Sequence, residues 1–93
     1  MVSNFRNIIH RMVRQGQSDL TLRQLDVIFL CDAGDQTVRD MAAAMKVSKP
    51  AISRAVDKLA EAGYVLRQDD PHDRRSIYVR LSPAGKQFVS TFQ

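Results

Sequence analysis

The chain has 93 residues, of which 44% are apolar and 26% are charged, and its formal net charge is +4; these values fit one soluble globular domain with a modest core. Its longest apolar runs, residues 27–31 and 41–45, are too short to cross a bilayer, and its charged, amphipathic N-terminus is unlike a signal peptide. One cysteine and two distant histidines exclude an internal disulfide and a zinc site. We therefore expect a cytoplasmic protein with no cofactor and no membrane partner.

Residues 1–16 are predicted to form an amphipathic helix, because Ser3 can cap it and Gly16 can end it. Its apolar side chains follow the i, i+3, i+4, i+7 spacing that places them on one face. They are Phe5, Ile8, Ile9 and Met12. This stripe needs a surface to cover it, either the core of the domain or a second chain.

A second helix is predicted over residues 22–33. Thr21 is its N-cap, Gln24 completes a capping box, and Gly34 ends the helix. Residues 25–31 are apolar on nearly every side, which predicts that this helix lies at the centre of the core.

Residues 37–62 contain two short helices with the spacing of a helix-turn-helix unit, capped by Thr37 and Ser48. Such a unit needs a small residue where the helices cross, a tight turn, and a β-branched residue that holds the second helix down. In this sequence these are Ala42, Val47 and Ile52. Lys46 stands at the turn position where glycine is commonest, and a left-handed backbone there would cost about 1 kcal/mol relative to glycine. A helical hairpin with no role in DNA binding has the same spacing, so both interpretations remain open.

The second helix of this unit, residues 48–62, has one apolar and one polar side, and Pro50 fits its first turn. The apolar side consists of Ile52, Ala55, Val56 and Leu59. The polar side consists of Lys49, Ser53, Arg54, Asp57, Lys58 and Glu61.

The apolar period then changes to two, which predicts a β-hairpin over residues 64–82 with its turn at residues 69–73. A last helix is predicted over residues 83–93. The expected fold is therefore a single domain, mainly α with a small β-hairpin (α+β), in the order ααααββα. A helix-turn-helix followed directly by a hairpin is a winged helix-turn-helix.

Basic residues are concentrated in the second half of the chain. Residues 46–93 hold nine Lys or Arg against five Asp or Glu, whereas residues 1–45 hold five of each kind. One-sided basic charge indicates a nucleic-acid partner, although a solvated surface could carry it too.

Arg74 and Arg75 lie at the tip of the hairpin, directly after the predicted turn. A guanidinium suits a narrow minor groove because its charge is delocalised and weakly hydrated. We interpret Asp73 as a brace, which pairs with one arginine so that the other points outward. An ordinary surface salt bridge is the alternative.

Three segments of the sequence resemble the MarR family of bacterial regulators. The run DRRSIYVRLS matches that family's wing signature, D-x-R-x-x-x-[VI]-x-L-[ST], and the matching residues are Asp73, Arg75, Val79, Leu81 and Ser82. Residues 47–65 look like the recognition helix of the family running into the first wing strand, and residues 20–30 are similar to its second helix. The resemblance implies a winged-helix transcriptional regulator of the bacterial cytoplasm or nucleoid, usually a dimer and often a repressor.

The first hypothesis is a sequence-specific regulator that binds double-stranded DNA, with the recognition helix in the major groove and a wing arginine in the minor groove. The expected DNA-binding residues are Thr37, Ser48, Lys49, Pro50, Ala51, Ser53, Arg54, Lys58, Asp73, Arg74 and Arg75. The alternative is a winged helix used only for contact with other proteins.

A homodimer on an inverted repeat is the second expectation, because the last helix is expected to expose aromatic residues and the first has a stripe to bury. The expected interface residues are Phe5, Ile8, Ile9, Met12, Phe88, Val89 and Phe92. The resembling family carries long dimerisation helices after the wing, whereas this chain ends at Gln93. It is therefore interpreted as a short form, and control by a small ligand is not carried over.

Enzyme activity is not expected, since the sequence holds no nucleophile–base set and no phosphate-binding loop. Cys31 lies in the most apolar helix without an adjacent Lys, Arg or His to lower its pKa, which predicts a packed, inert thiol. His10 and His72 are interpreted as solvated side chains.

Overall fold

A computed structural model describes residues 2–14 and 20–91, without the side chains of Asn4, Phe5, Ile8, Arg11, Met12, Arg74 and Arg75. Its elements in chain order are α1 (Val2–Arg14), α2 (Leu22–Asp32), β1 (Gln36–Thr37), α3 (Val38–Met45), α4 (Lys49–Glu61), β2 (Val65–Asp70), β3 (Asp73–Leu81) and α5 (Pro83–Ser90). Within these ranges, no helix combines the length and apolarity needed to cross a membrane. The predicted class, mainly helical with a small sheet, is confirmed.

The sheet has one strand more than predicted. Its strands run in the order β1-β3-β2, and β1 pairs with β3 in antiparallel register, with Thr37 opposite Tyr78. The Gln36 side-chain amide donates a hydrogen bond to the carbonyl oxygen of Leu30 at 3.1 Å, which ties β1 to α2. The predicted order ααααββα therefore lacks this strand, because two residues are too few to show an alternating pattern.

The strands of the hairpin extend closer to its tip than predicted, since β2 and β3 pair again at Asp70 opposite Asp73, beyond a register shift that follows Asp69 opposite Ile77. Only Pro71 and His72 form the turn. The backbone N–H of His72 donates to Asp70 Oδ1 at 2.9 Å, a hydrogen bond typical of an Asx-turn. The turn expected over residues 69–73 is thus too long, and its aspartates lie in the strands.

One hydrophobic core joins α2, α3, α4, α5 and the sheet. Its largest fully buried side chains are Ile28, Met41, Ile52, Leu59, Val27, Val56, Val65 and Val79. The predicted apolar side of α4 is confirmed, since all its members are buried. The prediction for α2 is only partly correct: Leu22 and Phe29 are exposed, because α2 packs on α4, α5 and β3 along one side.

The side chains of α5 are more buried than predicted. Phe88 and Val89 both belong to the core, with 7% and 5% of their surface exposed. The ring of Phe88 lies 5.2 Å from that of Tyr64, between centroids, and α5 packs against α2 and β3. The expectation that Phe88 and Val89 are exposed is therefore wrong, because the domain itself covers them. Phe92 lies outside the described residues.

The first helix is present over Val2–Arg14 and is amphipathic. Of the residues expected at a dimer interface in α1, Ile9 is half-buried, and the side chains of Phe5, Ile8 and Met12 lie outside the description. None of the side chains described for α1 belongs to the hydrophobic core.

Candidate nucleic-acid interface

The turn between α3 and α4 has the geometry of a helix-turn-helix unit. Lys46 adopts the left-handed conformation that its position predicts, with φ 57° and ψ 43°. The N–H of Val47 then donates to the carbonyl oxygen of Ala42 at 3.1 Å. Ala42 and Ile52 are buried on either side of the turn, so α4 is held at a fixed position on α3.

The N-terminus of α4 is capped and open to solvent. Ser48 Oγ accepts a hydrogen bond from the N–H of Ala51 at 3.3 Å, and Pro50 occupies the first turn, where a missing N–H has no cost. Ser48, Lys49 and Pro50 are exposed, and Ala51 is half-buried. Because N–H groups and the helix dipole attract anions to such an end, this end of α4 is suited to contact a phosphate backbone.

The cations on the outer side of α4 are in two different states. Lys49 and Arg54, in the N-terminal half, are exposed, and neither forms a salt bridge with an acidic group in the described part of the chain. Lys58 Nζ lies 3.9 Å from Glu61 Oε2, both largely exposed, a pair worth at most about 1 kcal/mol. Ser53, on the same helix between Lys49 and Arg54, is half-buried. Uncompensated positive charge therefore lies toward the N-terminus of α4.

Thr37 begins α3 at the edge of the sheet. Its Oγ1 accepts a hydrogen bond from the N–H of Asp40 at 3.0 Å, and the residue is half-buried opposite Tyr78. The hydroxyl hydrogen can still be donated to an external acceptor.

The tip of the wing brings Asp73 and Ser76 together, with Ser76 Oγ donating to Asp73 Oδ2 at 3.2 Å. Arg74 and Arg75 continue the backbone of β3, but their side chains lie outside the description. The brace between Asp73 and an arginine therefore stays a prediction.

The base of the wing is fixed by the buried Ser82. Its Oγ donates to the carbonyl oxygen of Gly63 at 2.5 Å and accepts from the N–H of Gly85 at 3.0 Å. Its own N–H donates to the carbonyl oxygen of Tyr64 at 3.0 Å. A Cβ at Gly85 would lie 2.1 Å from that same oxygen, so a larger residue would force the chains apart. The ends of α4 and β3 and the start of α5 thus meet at one tightly packed point.

An ion pair between α4 and the wing was not predicted from the sequence. Arg67 Nη1, on β2, lies 2.5 Å from Asp57 Oδ1, on α4. Arg67 is paired with Val79 across the hairpin and so lies on the side of the sheet that faces the core. The alternation along β2 holds this signal, because Arg67 has the same parity as the buried Val65.

Cys31 is a packed thiol, as predicted. It is buried, and its Sγ–H donates to the carbonyl oxygen of Val79 at 3.7 Å. Burial, with a smaller contribution from the negative charge of Asp35, raises the pKa of Cys31 to about 11. The thiolate is therefore scarce near neutral pH. In the parts of the chain that the structure describes, no cluster of three or more His, Cys, Asp or Glu could hold a metal ion.

The turn, the exposed helix and the hairpin all belong to a segment of the sequence that matches a known protein family. The sequence profile of the MarR family matches residues 18–76, more than half of the chain. The chain belongs to the MarR family. The matched segment includes all the residues that are expected from the sequence to contact DNA, which lie between Thr37 and Arg75. The match confirms the resemblance seen in the sequence.

The individual relatives described below are named as transcriptional regulators, not as enzymes. The HTH-type transcriptional regulator ML2140 of Mycobacterium leprae is 32% identical over 77 residues, which cover 82% of this chain and 54% of that protein. The solved structure of transcriptional regulator PA4135 is 30% identical with a TM-score of 0.71, covering 97% of this chain and 63% of that one. A mutant MarR from E. coli, solved in complex with operator DNA, shares the fold at 24% identity with a TM-score of 0.73, covering 95% of this chain and 61% of that one.

The chain spans about half the length of the curated MarR-type relatives that it matches.

Proposed function

We propose that the protein is a transcriptional regulator that binds double-stranded DNA sequence-specifically, in the bacterial cytoplasm or nucleoid. The observation that carries the proposal is the pair of exposed cations, Lys49 and Arg54, beside the capped N-terminus of α4 and without acidic partners among the described residues. Supporting it, the curated relatives are named HTH-type transcriptional regulators.

In this proposal α4 enters the major groove by its N-terminal end, since a groove about 12 Å wide admits a helix. The α4 residues that would face the duplex are Ser48, Lys49, Pro50, Ala51, Ser53, Arg54 and Lys58. Ser48 and Lys49 would lie nearest the base edges and the adjoining phosphates, and Pro50 and Ala51 offer small apolar groups to a thymine methyl. Arg54 and Lys58 would mainly contact phosphates, as would the hydroxyl of Thr37 at the start of α3.

The wing would lie beside α4 on the duplex, with Arg75 in the adjacent minor groove and Arg74 near the phosphate backbone of the DNA. Asp73 would act on DNA only indirectly, by holding an arginine. A cation binds most favourably in narrow A·T-rich minor grooves, where the negative potential is strongest.

A homodimer would place two α4 helices about 34–36 Å apart on an inverted repeat. Because Phe88 and Val89 are already buried within the domain, the interface is proposed to rest mainly on α1, through Phe5, Ile8, Ile9 and Met12, and on Phe92. Sedimentation at tens of micromolar tests this proposal. A monomeric mass that duplex DNA does not change would rule the dimer out.

Titration with duplex DNA tests the function itself. The wild-type protein should bind at about 50 mM salt, where phosphate contacts are strong, and a selection from random duplexes should enrich one sequence. Replacing Lys49, Arg54 and Arg75 together by Met should abolish binding while the circular dichroism spectrum stays the same. No measurable binding by the wild type would favour the alternative, a winged helix that contacts only proteins.

A further inference from the structure

The two acidic side chains on the outer side of α4 each have a basic partner, but the partners come from different places. Glu61 pairs with Lys58 on the same helix at 3.9 Å. Asp57 pairs with Arg67, which comes from the wing, at 2.5 Å. Arg54, three residues before Asp57, is left without an acidic partner in the described residues.

The helical spacing makes this arrangement significant. Opposite charges three residues apart on a helix lie close enough to pair, so Arg54 is a natural partner for the carboxylate of Asp57. An Arg54 engaged in that pair would have to give it up before binding a phosphate. An unneutralised Asp57 would also repel a phosphate backbone close to the helix.

We propose that Arg67 is a positioning residue, which binds and neutralises Asp57 so that Arg54 stays available for DNA. The proposal rests on the proposed function, since it assigns Arg67 an effect on the same α4 surface. Arg67 acts through Asp57 and does not itself contact the duplex.

The position of Arg67 supports an indirect role. It lies opposite the fully buried Val79, on the side of the sheet that packs against α4. Its side chain is 43% exposed, with the guanidinium turned onto the flank of α4 by the bond to Asp57.

Arg80 offers a matched control on the opposite side of the same hairpin. It pairs across the strands with Leu66, its guanidinium donates to Gln68 Oε1 at 3.1 Å, and it lies 3.9 Å from Asp35. Its side chain is 51% exposed. Arg67→Met and Arg80→Met therefore remove the same charge from similar surroundings, but only the first frees an acidic residue of α4.

The experiment compares duplex affinities of four variants at one salt concentration: Arg67→Met, Asp57→Asn, the double variant, and Arg80→Met. Arg67→Met should weaken binding by roughly threefold to tenfold, through the new pair and the exposed carboxylate. Asp57→Asn should bind at least as well as the wild type. The double variant should return to within about twofold of the wild type, the scatter expected for separate surface charges. Arg80→Met should stay within the same range.

Two results would overturn the proposal. If the double variant binds as weakly as Arg67→Met, Arg67 is itself a phosphate contact, and the slope of log K against log salt should fall by about 0.9 in both variants. If Arg67→Met binds like Arg80→Met, the ion pair has no role. Arg67→Gln, which keeps a polar side chain, repeats the test should methionine destabilise the wing.

A second readout needs no DNA. Exchange of the Arg54 Nε–H with water, followed by NMR in the free protein, should slow in Arg67→Met because Asp57 then pairs with Arg54, and should recover in the double variant. Unchanged exchange would refute the proposal whatever the duplex titration shows. If the wild type did not bind duplexes, the proposed function would be wrong. The exchange measurement would still test whether Arg67 prevents Asp57 from pairing with Arg54.

Discussion

The recognition helix α4 and the wing would meet the same duplex, yet the domain holds them in different ways. The inner side of α4 lies in the core, with no member more than 5% exposed: Ile52, Ala55, Val56 and Leu59. In contrast, no described side chain between Leu66 and Tyr78 is buried. The outer hairpin is held by strand pairing, by the hydrogen bonds near its tip, and at its base by Ser82.

This contrast separates two roles in recognition. An element packed into the core moves only when the domain opens, whereas a hairpin outside the core can adjust at a low free-energy cost. The helix can therefore present base-reading groups in a fixed position, and the wing can adapt to grooves of different width. Substitutions in the two regions should consequently affect different measurements.

The largest effect is expected where α4 enters the core. Ile52→Ala removes a fully buried side chain and should lower the free energy of unfolding by about 2–5 kcal/mol. Urea denaturation measures this loss, and the buried thiol of Cys31 should react faster with an alkylating agent. A loss below about 1 kcal/mol, typical of a surface position, would show that α4 is not held by core packing.

The wing should show the opposite behaviour. Arg75→Ala should weaken duplex binding by about 1–3 kcal/mol and leave both the unfolding free energy and the alkylation of Cys31 unchanged. Fluorescence anisotropy on two duplexes, with A·T-rich and G·C-rich flanks, should show the larger loss on the A·T-rich one. Equal losses on both would contradict insertion into the minor groove.

At the tip of the wing, two explanations predict opposite changes in the affinity for duplex DNA. Asp73→Ala removes a negative charge near phosphates, so electrostatics alone predicts tighter binding. The brace predicts weaker binding, because an unheld arginine must be ordered at a cost of up to about 2 kcal/mol. A titration at matched salt distinguishes the two, and tighter binding by Asp73→Ala would show that no brace exists.

The smallest effect is expected in the turn that holds α4. Lys46→Gly should raise the free energy of unfolding by up to about 1 kcal/mol, because glycine adopts a left-handed backbone without steric cost. Lys46→Ala is the matched control, since it removes the charge and keeps the strained conformation. Thermal melts that rank Lys46→Gly below Lys46→Ala would contradict this account of the turn.

Features that depend on short-range patterns were predictable from the sequence. The predicted N-caps of α2, α3 and α4 are confirmed, namely Thr21, Thr37 and Ser48. The sequence also indicated the turn position at which a left-handed backbone could occur, and Lys46 adopts that conformation. Each of these depends on a few consecutive residues, whose hydrogen bonds and steric limits are the same in any fold.

Features that depend on contacts between distant segments were not predictable in the same way. β1 exists only because β3 lies beside it, and Phe88 is buried because Tyr64 and α2 cover it. The ion pair between Arg67 and Asp57 joins two elements whose relative position no local pattern defines. The sequence therefore predicted which residues of α4 point outward, but not which of their charges are neutralised.

The dependence of duplex affinity on salt measures the number of phosphates that the protein contacts. We assign such contacts to Lys49 and Arg54, the cations of α4 that have no acidic partner among the described residues. The slope of log K against log salt should be steeply negative in the wild type, about 0.9 per neutralised phosphate. It should become shallower by about 1.8 when Lys49 and Arg54 are both replaced by Met. Replacing the exposed Lys86 of α5 by Met should leave the slope unchanged. A wild-type slope near zero, or one that the loss of Lys49 and Arg54 does not alter, would contradict the account.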